Sequence, residues 1–199
     1  MESSKHVLDF WFGELDENGF ASKARSRRWW KKSPDFDSEV RDRFLADWEV
    51  LMAGGHQDWL ESTKGTLAAV IVLDQGSRNM YRGTGQMFAA DEMALELVKK
   101  GCAARLDQSL EGYERVFFYM PFMHSESLED QDRCVRLFTE FAGSVSGQAR
   151  EKLMGNVKYA EKHRFVIEQF GRFPHRNKLL GRESTEEETA FLKQPGSRF

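Results

Sequence analysis

The chain has 199 residues, of which 40% are hydrophobic and 31% charged, and its formal net charge is −3. This length and apolar content suffice to bury a core, which excludes a small disulfide-stapled scaffold and a disordered chain. Four Pro and 16 Gly are few for the many tight turns of an all-β protein, so the composition predicts a helical protein.

Charge, cysteine and hydropathy patterns limit the expected compartment and partners. Cys102 and Cys134 show no CxxC spacing, which suits a reducing cytoplasm. Acidic residues interrupt every apolar stretch among the first 20 residues, so we expect no signal peptide. The apolar runs all fall short of the roughly 20 residues that span a bilayer. We therefore expect a cytoplasmic protein without membrane contact.

Helical periodicity recurs along the chain. Apolar side chains at positions 40, 44, 48 and 52 form a stripe that predicts one helix, which Gly54 ends. Further helices are predicted over residues 66–81, 88–100, 111–119, 127–143 and 148–170. The helix over 111–119 is expected to end ahead of Pro121, and a capping box over 184–187 predicts a short last helix. No Pro-rich or low-complexity linker divides the chain, so we interpret residues 1–199 as a single helical domain.

Polar side chains continue the apolar stripe of the helix over 66–81. Asp74 and Arg78 lie on its apolar face, four residues apart and within reach of each other. This pattern is typical of an ion pair at a helix interface, and it is also compatible with a polar site between helices. Asn79 and Arg82 add further donors at the same helix end.

The longest predicted helix places His163 in the middle of its inward stripe. A single His in such a stripe is more often a hydrogen-bonded core residue than a base or a ligand. Directly after this helix, however, comes a polar segment whose composition folding alone does not demand. Its side chains are Arg172, His175, Arg176, Asn177 and Arg182.

Another polar group follows the apolar run over 117–122. His124 and Glu126 can present an acid or a base at the mouth of a pocket, whereas Ser125 between them can equally serve as a helix cap. Two of the His residues 124, 163 and 175 with one carboxylate, Glu126 or Asp74, are compatible with a metal site. The spacing does not demand one, because no His-Glu-x-x-His pair shares a helix, so no metal ligands are predicted. The sequence identifies no cofactor.

These polar residues suit acid–base chemistry on an anion. The candidate catalytic residues are His124, Glu126, His163 and His175. Guanidinium groups bind carboxylates and phosphates with two parallel hydrogen bonds, so the arginines of this set suit an anionic ligand. Alternatively, the same arginines form a solvated basic face of the protein without a ligand. The candidate ligand-binding residues are Asp74, Arg78, Asn79, Arg82, Arg172, Arg176, Asn177 and Arg182.

A second basic run, over residues 23–32, interleaves Lys and Arg with Trp29 and Trp30. This combination suits single-stranded nucleic acid or a phosphorylated partner, but the two Trp side chains can equally fill the core. Because the net charge is negative and no RNA-binding motif accompanies the run, the sequence argues against nucleic acid as a partner.

The chain contains the strings VLDFWFG at 7–13, LDQ at 73–75, RN at 78–79, YMPFMHSE at 119–126 and FGRFPHRN at 170–177. Together they resemble the bacterial family called domain of unknown function 924. The resemblance implies an all-α fold of stacked antiparallel helical hairpins, in a tetratricopeptide-like arrangement with degenerate repeats. It implies no reaction. The chain departs from the family at Gly76 and Ser77, where relatives commonly carry Phe-Pro, and loss of that Pro predicts that the helix continues.

Two functions remain in view. The first is a polar pocket that binds a small anionic ligand and acts on it. The second is a helical scaffold whose concave face binds a peptide or protein, with the same polar residues holding the hairpins together.

Overall fold

The computed structural model describes residues 3–197, and within this range the chain is built from helices and turns. Its α-helices are α1 (Ser4–Phe12), α2 (Lys23–Trp30), α3 (Pro34–Met52), α4 (Thr63–Val70), α5 (Ser77–Met80), α6 (Asp91–Ala103), α7 (Gly112–His124), α8 (Leu128–Gly143), α9 (Gly147–Phe170) and α10 (Glu186–Phe191). Short 3-10 turns cover Gln57–Glu61, Gly85–Phe88, Leu106–Ser109 and Pro174–Arg176. The only extended pairing in residues 3–197 is an isolated bridge between Leu15 and Ala21. The all-α prediction is confirmed, while the tetratricopeptide-like arrangement stays a prediction.

Serine side chains begin the first four helices. Ser3, Ser22, Ser33 and Ser62 each accept a hydrogen bond from the backbone N–H three residues later. No helix is predicted from the sequence over α1 or α2, because both are short and α2 lacks an apolar stripe. The serine caps are the signal that identifies them.

The capping box of the last helix lies one residue later than predicted. The Thr185 hydroxyl accepts from the N–H of Glu188, and the Glu188 side chain accepts in turn from the N–H of Thr185. The prediction over 184–187 is therefore wrong by one position. Ser184 instead accepts a hydrogen bond from the Asn177 side chain through its hydroxyl oxygen, at 3.0 Å.

The prediction that a helix ends ahead of Pro121 is also wrong, because α7 continues through Pro121 to His124. A proline inside a helix removes one backbone hydrogen bond and costs about 3 kcal/mol. Here the flanking Phe118 and Phe122 are fully buried, and their packing outweighs that local cost. The extra residues of α7 deliver His124 to the helix end.

The run predicted over 66–81 forms one continuous helical segment from Thr63 to Met80, as the replacement of the family's Phe-Pro predicts. Between α4 and α5, the segment contains a π-helical turn over Ile71–Gly76. Such turns insert one extra residue into a helix and are frequent at functional sites. The turn includes Asp74, which it places on the buried side of the helix.

The core lies around α4, the π-helical turn and α7. Leu67, Leu73 and Phe117 are each at most 1% exposed, and α1, α3, α6 and α8 pack around them. A smaller cluster, in which Val166, Ile167 and Phe173 are buried, lies under the C-terminal segment. None of the helices formed by residues 3–197 combines the length and the apolarity that crossing a bilayer requires.

Two glycines in helices provide a matched test of this packing. A Cβ at Gly65 in α4 would lie 2.0 Å from the carbonyl oxygen of Trp59, whereas at Gly155 in α9 it would meet no described atom within 4 Å. We expect Gly65→Ala to lower the free energy of unfolding by about 2 kcal/mol or more. Gly155→Ala should raise it by up to about 1 kcal/mol through helix propensity. Urea unfolding of both variants measures the difference, and equal effects would contradict the close contact of α4 with Trp59.

Candidate functional site

The carboxylate of Asp74 is the centre of the polar site and is 1% exposed. Its Oδ1 lies 2.6 Å from Nδ1 of His124 and 3.2 Å from a guanidinium nitrogen of Arg78. Its Oδ2 accepts a hydrogen bond from the Gln75 amide at 2.6 Å. Burial alone would raise the pKa of Asp74, but the positive charge of Arg78 and the contact with His124 outweigh burial and hold that pKa well below its usual range. Asp74 is therefore ionised.

Asp91, the first residue of α6, connects two arginines. Both Asp91 oxygens accept hydrogen bonds from Arg78, at 2.8 and 3.1 Å. Oδ2 also accepts from Arg176 at 3.0 Å, and Arg176 donates a further hydrogen bond to the carbonyl oxygen of His124 at 2.9 Å. Asp91 is not among the sequence-predicted site residues, because an acidic residue in the first turn of a helix is common for reasons of local stability.

Arg176 is held between aromatic rings. Its guanidinium carbon lies 4.6 Å from the ring centroids of both Phe88 and Phe173. The side chain is 8% exposed, and among residues 3–197 its Nε finds no hydrogen-bond partner. Burial, and secondarily the nearby charge of Arg78, lowers the pKa of Arg176 to about 10. Arg176 is thus a buried cation with one donor still available.

Three histidines surround this arginine. The rings of His124 and His163 are 6.4 Å apart, and Phe173 lies between His163 and His175, with centroid distances of 5.7 and 5.6 Å. Nδ1 of His163 is 2.8 Å from the carbonyl oxygen of Tyr159. Burial is the main cause that lowers the pKa of His163 to about 3 and that of His175 to about 4. Both imidazoles are neutral at pH 7.

His124 has the geometry of an oriented base. An ionised carboxylate only accepts hydrogen bonds, so Nδ1 of His124 carries the proton that it shares with Asp74. Burial and the charge of Arg78 lower the pKa of His124, although Asp74 opposes them. In the neutral ring, Nε2 therefore holds the free lone pair. An aspartate that orients a histidine in this way is a recurrent arrangement in acid–base catalysis.

Glu126 lies beside this site but has a different set of contacts. Its two oxygens accept hydrogen bonds from Arg182 at 2.7 and 2.9 Å, and Oε1 also accepts from the backbone N–H of Phe173 at 2.7 Å. Arg182 donates from Nε to the Asn177 side chain at 3.0 Å. Glu126 therefore fastens the segment over 171–182 to the helices.

The remaining predicted residues form ion pairs and hydrogen bonds with carboxylates other than Asp74. Arg172 donates two hydrogen bonds to Glu188, at 2.6 and 2.8 Å, and the Asn177 amide donates to the same carboxylate at 3.1 Å. Asn79 and Arg82 both donate to Asp37 at the start of α3, over distances of 2.6 to 2.8 Å. The structure does not bring Asn79 and Arg82 to Asp74.

The structure thus unites half of the predicted residues around Asp74. The group named here the Asp74 site consists of Asp74, Arg78, Asp91, His124, His163, His175 and Arg176. In the described part of the chain, no three His, Cys, Asp or Glu side chains are grouped in a way that suits a metal ion.

A cavity of about 860 Å³ lies elsewhere, between α6, α7 and α8. Its lining includes Cys102 and Tyr119 together with charged side chains of both signs. Burial, and secondarily Asp107, raises the pKa of Cys102 to about 12, and burial also raises the pKa of Tyr119. Both groups stay protonated and unreactive at neutral pH, so the Asp74 site is a stronger candidate for chemistry than this cavity.

Comparison with known proteins supports the family resemblance. A family model for a bacterial protein of unknown function, DUF924, matches residues 7–196. Among solved structures, the chain is similar to ATU0120, a protein of unknown function from Agrobacterium tumefaciens, with 34% sequence identity, a TM-score of 0.80 and coverage of 96% of each chain. No functionally curated protein matches. The matched range includes every residue of the Asp74 site, and the chain belongs to DUF924, a family of bacterial proteins of unknown function.

Proposed function

We propose that the Asp74 site binds a small anionic ligand, a carboxylate or a phosphate, and that His124 exchanges a proton with it. The observation that carries this proposal is the buried guanidinium of Arg176, whose Nε has no hydrogen-bond partner among residues 3–197. An unpartnered buried donor on a cation costs free energy, and an anionic ligand at this position removes that cost.

The charges in the site are compatible with binding of an anionic ligand. Two arginines face two aspartates, but the pKa of Arg176 is lowered to about 10, chiefly by burial and then by Arg78. The charge of Arg176 also contributes, after burial, to the lowered pKa values of His163 and His175. Burial is the main cause of all three shifts, and the charge of a neighbouring arginine adds to each of them, so a negative charge bound near Arg176 would offset this added part.

In this proposal, the Asp74–His124 pair carries out the proton transfer. The neutral His124 ring has its lone pair on Nε2, so it can accept a proton from a bound acid or from a water molecule. Asp74 then stabilises the imidazolium that forms, at a distance of 2.6 Å. Asp91 and His175 are partly exposed, which gives the site an edge that solvent reaches.

A second function, a scaffold for a peptide or protein partner, has one observation in its favour. Arg82, Arg172 and Arg182 each form ion pairs within the chain, which is what the scaffold hypothesis expects of side chains that hold helices together. The ligand experiment separates the two functions, because a scaffold gains no stability from small anions.

The first prediction from this proposal concerns Arg176. We expect phosphate or small carboxylates to raise the Tm of the wild-type protein, since a ligand at about ten times its Kd adds about 1.4 kcal/mol, or roughly 3 to 6 °C. Arg176→Gln should abolish that rise, while Asp91 keeps Arg78 as its partner. Differential scanning fluorimetry over an anion panel measures both proteins.

Arg150→Gln is the control for this measurement, because it removes one positive charge from an exposed position on α9. It should respond to anions like the wild type. If no anion stabilises the wild type, or if Arg176→Gln responds equally, the anion site is refuted and the scaffold is favoured.

The second prediction follows from the neutral histidines. An unfolded His has a pKa near 6.5, whereas folded His163 and His175 have pKa values of about 3 and 4. Between these values the unfolded chain binds protons that the folded chain does not, so stability is fully present above pH 6.5 and falls as the pH drops toward 4. We expect a loss of about 1 kcal/mol per pH unit for each histidine.

Urea unfolding at several pH values tests this dependence. His175→Gln removes one partly exposed titrating group and should reduce the slope between pH 6.5 and 4.5. A flat profile for the wild type would mean that these histidines are not held neutral by burial.

The third prediction tests whether Glu126 has a structural role rather than a catalytic one. Glu126→Gln weakens the two charged hydrogen bonds from Arg182, so we expect faster amide hydrogen exchange over 171–182, by about tenfold. Exposed Glu161→Gln on α9 is the control. Unchanged exchange in Glu126→Gln would show that Glu126 does not fasten this segment and would return it to the candidate catalytic residues.

A further inference from the structure

Helix α2 carries a basic and aromatic surface that the Asp74 site does not involve. None of its eight residues is buried. Around it lies a shallow cleft of about 460 Å³, lined by Lys23, Ser26, Arg27, Trp30 and Lys31. These five residues are named here the α2 surface.

The two neighbouring tryptophans have different environments. Trp29 packs inward, with its ring 4.9 Å from that of Phe117, and its Nε1 donates a hydrogen bond to the carbonyl oxygen of Trp11 at 3.0 Å. Trp30 is 55% exposed. One face of Trp30 stacks on Phe117 at 5.8 Å, with the planes 4° apart. The core thus fixes the orientation of the Trp30 indole, and its outer face stays open to solvent.

The charges of the α2 surface are all of one sign. Its lining holds three cations and no carboxylate, and within residues 3–197 none of Lys23, Arg27 and Lys31 forms an ion pair. Other cations of the same run are engaged, since Arg28 pairs with Glu39 at 2.6 Å and Arg25 donates to the Phe10 carbonyl at 3.0 Å. Lys23 and Arg27 lie four residues apart in α2, which places their Cα atoms about 6 Å apart along one side of the helix, and Lys31 follows directly after the last residue of α2.

We infer that the α2 surface binds single-stranded nucleic acid. An unpaired strand presents phosphates beside unstacked bases, and these two groups match a row of cations beside an open indole face. An acidic peptide matches the cations but offers no regular partner for the indole. A membrane surface requires more apolar area than one exposed aromatic side chain provides.

The contact is local and independent of base sequence. The net charge of the chain is −3, so the chain as a whole does not attract the strand over a long range, and the α2 surface neutralises about three phosphates. The sequence alone argues against nucleic acid as a partner. Two structural observations favour nucleic acid despite that argument. Trp30 is exposed, and no carboxylate lines this cleft.

Fluorescence anisotropy with a labelled oligothymidylate tests the inference. For the wild type, we expect log Kobs to fall with log salt concentration with a slope of about −2, as three phosphate contacts on a single strand predict. The oligonucleotide should also quench tryptophan fluorescence. Lys23→Glu with Arg27→Glu should weaken binding at least tenfold and bring the slope closer to zero.

The variant Trp30→Ala distinguishes the contribution of base stacking to oligonucleotide binding from that of the phosphate contacts. Because the side chain is exposed, this variant should fold normally by circular dichroism, bind about tenfold more weakly and keep the salt slope. The matched charge control is Arg150→Glu with Lys158→Glu, which alters two exposed cations on α9 by the same total charge and should bind like the wild type.

Several outcomes would overturn the inference. These are no oligonucleotide binding at low salt, equal weakening by the α9 control, or unchanged binding in Trp30→Ala. Binding to polyglutamate or to phosphatidylserine vesicles as tight as that to the oligonucleotide would also reject it, in favour of an acidic peptide or a membrane. Arg176→Gln should leave oligonucleotide binding intact, so this result is independent of the ligand proposed for the Asp74 site.

Discussion

The buried carboxylate of Asp74 is the constraint on which the site depends. An ion that leaves water without partners costs several kcal/mol, so the fold must bring compensating groups to it. Arg78 comes from the next helical turn, and His124 arrives because α7 continues past Pro121. Arg78 in turn pairs with Asp91, which pairs with Arg176, 85 residues further along the chain. Alternating charges thus link α5, α6, α7 and the C-terminal segment.

This chain of charges differs from the ion pairs around it. Away from Asp74, the carboxylates of Asp37, Glu126 and Glu188 each accept two hydrogen bonds from an arginine, and these contacts join helices and loops. The Asp74 site, in contrast, contains neutral imidazoles and a buried guanidinium with one donor that has no partner among residues 3–197. The proposal of binding and proton transfer rests on the Asp74 site because there a buried donor, Nε of Arg176, has no hydrogen-bond partner among residues 3–197.

The sequence predictions are accurate where the pattern lies within one helix, and they fail where tertiary packing decides the structure. α3, α8 and α9 have long apolar stripes, so periodicity finds them, whereas α2 has no buried residue and no stripe. Asp74 and His163 are detectable because each interrupts an apolar stripe. Asp91 is not detectable in this way, since a carboxylate at a helix start has an ordinary local explanation. The end predicted at Pro121 fails because packing around Phe118 and Phe122 outweighs a local preference.

The sequence by itself determined the helical class, most of the helices and the positions where polar groups enter apolar faces, because these depend on spacing within a few turns. Only the tertiary structure decided which cation meets which carboxylate. Asp37 lies 45 residues from Arg82, and Glu126 lies 56 residues from Arg182, and periodicity carries no information over such separations. The tertiary structure also decided that Trp29 is partly covered while Trp30 stays exposed, since adjacent side chains on a helix point in different directions and only the neighbouring helices determine which of them is covered.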